Sequence, residues 1–321
     1  MCLVLVTVAV AVSRWVLPAG PGSVAAGLGA DAGPDSPSIS ASAEASASPS
    51  VPPTPEASAT PAAAPGAPRT PAPPPGTSSK KGVSTWNFSQ NATAMKAVSV
   101  SWYYNWSANP AQGVSSTEFV PMIWGAGSVT TANLSRAKAS GKALLGFNEP
   151  DFASQANMSV EQALQLWPQL QATGLRLGSP AVATGGATAG GWLDRFISGA
   201  RQRGYRVDFI ALHWYGSDFG PAAVDHLAGY LRAVHDRYGL PIWLTEYALI
   251  KFGSGGSTYP SAAQQTAFIK GSTEMMNKLS YVERYAWFAL PTPDEGGEGT
   301  GLYRANQGLT AAGNAYRSAG G

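Results

Sequence analysis

Two glutamates placed in matching settings carry the chemistry of this sequence. Residues 143–151 read ALLGFNEPD, an apolar run of strand character that stops at an amide, a carboxylate and a proline. Pro150 has no N–H to give a ladder and pushes Glu149 out of helical geometry, so the strand ends at residues 148–149 with both side chains at its mouth. Residues 241–249, PIWLTEYAL, repeat the grammar and end in one acid, Glu246. An apolar strand that closes on a lone acid has no packing reason to do so. Two such carboxylates supply a proton donor and a nucleophile or base, the pair that hydrolysis of a glycosidic bond needs.

The elements that must hold this pair alternate along the chain. Strand-like runs fall at 81–88, 98–106, 118–124, 143–149, 175–182, 207–215, 242–247 and 284–290. Helical spacing or capping marks 91–96, 131–140, 159–173, 191–203, 222–238 and 261–279. Pro121 weakens the third strand and Pro168 interrupts the helix over 159–173. Eight strands separated mostly by helices predict a parallel sheet that closes into a (β/α)8 barrel, an α/β fold whose reactive groups sit at the C-terminal ends of its strands. Those ends hold the stretch 102–106, from which Trp102 and Asn105 are singled out, then Trp124, Asn148 and Glu149, His213, Trp214 and Tyr215, Glu246 and Tyr247, and Trp287 beside Phe288. Indole faces stack on the C–H faces of sugar rings, while Asn, His and Tyr pair with hydroxyls, so the set suits a carbohydrate cleft. For each tryptophan, plain barrel packing is the competing reading.

Composition narrows the alternatives. Residues 20–79 are dominated by Ala, Pro, Ser, Gly and Thr, a composition that cannot bury enough apolar surface to order itself, so a disordered linker is expected there and the folded domain over 80–321. Residues 3–18 form an apolar run broken by Arg14, the pattern of a secretory signal or a membrane anchor, with cleavage and retention both open. Export, or an extracellular location with a membrane tether, follows as the expectation. The formal charge is only +2 with 12% charged residues and no basic run, which argues against nucleic acid and suits an uncharged, polyhydroxylated ligand. Cys2 is the one cysteine, so neither a disulfide framework nor a thiolate metal site is available. Of the three histidines, His226 and His235 stand nine apart in one expected helix, off a common face. No metal or other cofactor is expected. There is no GxSxG elbow, and GGATAGG at 185–191 lacks the Lys-Ser/Thr of a phosphate loop.

The segments FVPMIWG, LGFNEPD, LGSPA, FIALHWYG, PIWLTEYA and RYAWFAL, in this order across residues 80–321, resemble glycoside hydrolase family 128, β-1,3-glucanases of the clan A glycosyl-hydrolase catalytic core. The resemblance implies a (β/α)8 fold and a retaining mechanism, so a retaining endo-β-1,3-glucanase acting on β-1,3-glucan is expected, and the chain is expected to be a monomer. It makes Glu149 the acid/base and Glu246 the nucleophile, sets Asn148 on the sugar 2-hydroxyl, and gives His213 and Tyr247 the orientation of the acids. Trp124, Trp214, Tyr215 and Trp287 would shape the subsites. The family often carries Phe where Tyr247 stands, which leaves the role of that hydroxyl open. A catalytically silent glycan-binding protein, or a glycosidase acting on another β-glucan, would present the same strand ends.

Overall fold

The computed structural model describes residues 79–293 and 298–319. The apolar segment and the Pro/Ala/Ser-rich stretch expected at the N-terminus lie outside the described residues. In chain order the strands are β1 (Lys81–Ser84), β2 (Trp102–Tyr104), β3 (Glu118–Phe119), β4 (Ala143–Leu144), β5 (Arg176–Leu177), β6 (Ile210–Gly216), β7 (Ile242–Leu249), β8 (Lys251–Gly253), β9 (Gly256–Thr258), β10 (Val282–Trp287), β11 (Tyr303–Arg304) and β12 (Gly308–Leu309). The helices are α1 (Asn91–Val98), α2 (Thr131–Ser140), α3 (Val160–Gln171), α4 (Trp192–Gln202), α5 (Ala223–Tyr238), α6 (Ala262–Lys278) and α7 (Ala311–Ser318).

A six-stranded parallel sheet runs β3-β2-β1-β10-β7-β6, and β4 pairs with β5, also parallel. Single parallel bridges, Met122 to Leu145 and Gly178 to Phe209, join that pair to β3 on one side and β6 on the other. Each of the eight expected strands is present, several much shortened. The helices start where their caps stand: the side chains of Thr130, Ser159 and Thr310 accept from the third backbone N–H beyond them, and Ser261 with Gln264 forms a capping box. On α3, Val160, Ala163, Leu164, Trp167 and Leu170 make one buried stripe at helical spacing. The hairpin β8–β9, the pair β11–β12 and α7 have no counterpart among the expected elements. Each is too short, or too small in its residues, to show a period.

Apolar side chains fall into two sets. An outer set packs strands against helices and includes Tyr103, Phe147, Trp167, Leu212, Leu244, Tyr247 and Trp287. The inner set lies between the strands and includes Trp102, Tyr104, Trp106, Leu145, Phe209 and Trp243. At the N-terminal ends of the strands this interior is closed by ion pairs. Arg176 grips Glu283 at 2.6 and 2.9 Å, Arg284 grips Glu118 at 3.0 and 2.9 Å, and the Arg284 guanidinium lies 4.5 Å from the Trp243 ring centre. Each guanidinium meets its carboxylate through two parallel N–H donors.

Candidate active site

At the opposite ends of the strands the two glutamates converge. One oxygen each of Glu149 and Glu246 and one nitrogen of His213 all lie within 4.8 Å of one another, and all three residues are buried. Strand alternation alone would not bring them there. On β4 Ala143 and Leu145 face in while Leu144 and Phe147 face out, so the alternation slips by one around Gly146 and turns Asn148 inward. Glu149 then takes a positive φ of 43°, which a non-glycine residue adopts at a cost on the order of 1 kcal/mol or more. Its backbone N–H donates to Ala181 O at 2.7 Å and holds the turn. On β7 the register against β6 shifts between Leu212 and His213, leaving Thr245 as an extra residue whose hydroxyl donates to Leu212 O at 3.1 Å. That bulge aims Glu246 inward and Tyr247 outward.

The loop after Glu149 is braced. Asp151 accepts from the N–H of Ala183 at 2.8 Å and of Thr184 at 3.3 Å, and Pro150 O accepts from Met158 N at 2.8 Å. Asn148 donates its amide to Gln155 Oε1 at 3.3 Å. His213 Nδ1 shares a 2.9 Å hydrogen bond with Glu149 Oε1, while its Nε2 stands 3.3 Å from Glu246 Oε1. Burial opposes the imidazolium form of His213, but the charge of Glu246 and the hydrogen bond to Glu149 outweigh it and hold the ring above its ordinary pKa. Glu246 is otherwise held by neutral donors. Tyr104 Oη donates to Oε1 at 2.9 Å, Trp106 Nε1 donates to the same oxygen at 2.8 Å, and Tyr215 Oη donates to Oε2. Burial, reinforced by the charge of Glu246, pushes both phenols well above their ordinary pKa, so they stay protonated donors.

The other residues named from the sequence divide by phase. Trp124 is half-buried against the inner set, and its carbonyl accepts from Asn148 N at 2.8 Å. Asn105 bonds the backbone at Asn109 O, 2.9 Å away. Trp214, Tyr247 and Trp287 differ from expectation because the alternation sends them outward. Trp214 stacks on Phe268, Tyr247 is enclosed by Phe268, Tyr285 and Trp287, and the Trp287 indole donates to Thr300 O. Trp102 points inward but one layer too deep, its indole donating to Lys80 O at the start of β1. These four serve packing. Within the stretch 102–106 it is Tyr104 and Trp106, not the singled-out Trp102 and Asn105, that touch Glu246: in WYYNW, positions 102, 104 and 106 share one face, and the two nearest the strand's end reach the acid.

A pair of close, buried carboxylates at the ends of parallel strands, with a histidine between them, is the apparatus of a glycoside hydrolase. The model of the glycosyl hydrolase catalytic core matches residues 82–316, and the chain belongs to that family, within glycoside hydrolase family 128. It is 59% identical to a subgroup I endo-β-1,3-glucanase from Amycolatopsis mediterranei solved with laminaripentaose, covering 75% of this chain and 100% of that one with a TM-score of 0.72. A subgroup III curdlan-specific exo-β-1,3-glucanase from Blastomyces gilchristii is 32% identical over 76% of this chain and 99% of that one, with a TM-score of 0.62. Alkali-sensitive linkage protein 1 of Schizosaccharomyces pombe is 33% identical over 228 residues, 68% of this chain but 40% of the relative.

Proposed function

We propose that the chain is a retaining endo-β-1,3-glucanase built on a (β/α)8 barrel, with Glu246 as nucleophile and Glu149 as acid/base. The observation that carries this reading is the closeness of the acids: one oxygen of each lies within 4.8 Å of the other, which suits the roughly 5–5.5 Å carboxyl spacing of retaining enzymes better than the about 6.5–9.5 Å of inverting ones. Glu246 attacks the anomeric carbon as Glu149 gives its proton to the departing glycosidic oxygen. Water then attacks the same carbon, Glu149 takes its proton, and Glu246 leaves with its electron pair restored. His213 orients Glu149 through Nδ1, and Asn148, set by Gln155, offers an amide to the sugar beside it. Trp124 and Tyr215 border the sugar nearest the acids. Endo action on β-1,3-glucan is supported by the 59% identity to the subgroup I enzyme, against 32% to the exo-acting subgroup III enzyme. Export, with a cleaved leader or a tether, is supported by the composition of residues 3–79 alone.

The test is release of reducing ends from linear β-1,3-, β-1,4- and β-1,6-glucans, with the fresh product anomer read by NMR. Cleavage of the β-1,3 polymer with β-anomer product and an early fall in viscosity is expected. Cleavage of another linkage would reassign the substrate, and binding without cleavage would make the chain a glycan-binding protein.

A further inference from the structure

The hydrogen bonds on Glu246 are unequal between its two oxygens. A carboxylate oxygen offers about two lone-pair sites. On Oε1 both are taken, by Tyr104 Oη at 2.9 Å and Trp106 Nε1 at 2.8 Å, with His213 Nε2 a further 3.3 Å neighbour. On Oε2 Tyr215 Oη is the one donor among the described residues, so one lone pair remains. The two donors on Oε1 are not loosely placed. Tyr104 is fully buried in the inner set, and its ring meets Trp106 edge-on at 5.3 Å. Trp106 packs in turn on Phe288 at 5.9 Å and holds a φ of 54°, the left-handed region that a bulky residue adopts only when its surroundings demand it. That backbone is what points the indole N–H at the carboxylate.

We propose that Trp106 and Tyr104 are positioning residues that lock Oε1 of Glu246 and thereby make Oε2 the nucleophilic oxygen. The assignment rests on the glycosidase reading above. As the reaction begins, an Oε2 lone pair forms the bond to the anomeric carbon, the bond from that carbon to the glycosidic oxygen breaks, and the departing oxygen takes the Glu149 proton. Oε1 becomes the carbonyl oxygen of the resulting ester, and the two donors that already face it remain in place. Because neither donor carries charge, the carboxylate is oriented without being neutralised, which an arginine gripping both oxygens would not allow.

The experiment is covalent trapping with a 2-deoxy-2-fluoro-β-laminaribiosyl fluoride, which forms the ester faster than it is hydrolysed, followed by intact-mass measurement of the full chain. The final stoichiometry counts folded sites, and the rate per site reports the aim of Glu246. Trp106→Phe keeps the aromatic body and removes the donor. Its trapping rate and kcat should fall together by about 10- to 100-fold while KM moves less than about three-fold, the pattern of a misaimed reacting atom. Tyr104→Phe should act the same way, and a backbone-compatible loss of folding would appear as reduced stoichiometry instead. Trapping of Trp106→Phe at the parent's rate per site would overturn the assignment alone. Failure of the parent chain to trap at all would overturn the retaining reading and the assignment with it.

Discussion

The two ends of the strands handle carboxylates in opposite ways, half-buried at one end and buried at the other. At the N-terminal ends Glu118 and Glu283 each meet an arginine through two hydrogen bonds, and Trp243 Nε1 adds a third to Glu283 at 2.9 Å. At the C-terminal ends Glu149 and Glu246 meet phenols, an indole and one imidazole. The same side chain is neutralised and inert at one end, oriented and available at the other. Arginine pairing belongs where the interior must be closed, and phenol, indole and imidazole partners belong where a lone pair must remain free to react.

Exchanging the acids breaks the comparison most sharply. Glu149→Gln should lower kcat by about 10²- to 10⁴-fold through loss of the proton donor, with Glu246→Gln at least as severe, and thermal melting should show both variants folded. The same exchange at the other end should do the reverse. Glu118→Gln or Arg284→Met should cost about 1–3 kcal/mol of stability in urea unfolding and leave kcat per folded molecule unchanged. Lys81, the first residue of β1, offers a case outside the interior. Fully enclosed, it donates to Tyr316 O at 2.9 Å and Ala319 O at 2.7 Å at the end of α7, so Lys81→Met should also lose about 1–3 kcal/mol by leaving carbonyls without a donor.

The smallest effect separates the ends by the sign of their pH dependence. Despite some burial, Arg176 and Trp243 hold Glu283 below the ordinary carboxylate range. The stability it contributes is present above that range and lost as pH falls through its depressed value. His213 is held above the ordinary imidazole range, so its contribution is present below that range and lost as pH rises through its raised value. Melting temperature against pH should therefore lose part of its acid slope in Glu283→Gln and part of its slope near and above neutrality in His213→Gln. Parallel curves for either variant and the parent would remove that residue from the account.

Much of this arrangement can be read along the chain, and the limit is a physical one. Apolar runs, caps and breakers act over a few residues, so eight strands and the helices from α1 to α6 were visible, as were two acids that strands have no packing reason to carry. The site's surroundings were legible only in part. Trp214, Tyr247 and Trp287 looked like ligand contacts by their nearness to the acids in sequence, yet they lie on the outward phase against α6 and its neighbours. Tyr104 and Trp106 share a face with Trp102, which counting by twos would have found.

The sequence by itself determined which groups can react and that each stands where an apolar strand gives out. Only the tertiary structure decided that both acids face the same interior. By strict alternation from Ala143 and from Trp243, Glu149 would face in but Asn148 and Glu246 would face out. The slip around Gly146, the left-handed turn at Glu149 and the bulge at Thr245 correct this. A bulge exists only against a neighbouring strand whose register it breaks, so no local pattern in the bulged strand can announce it.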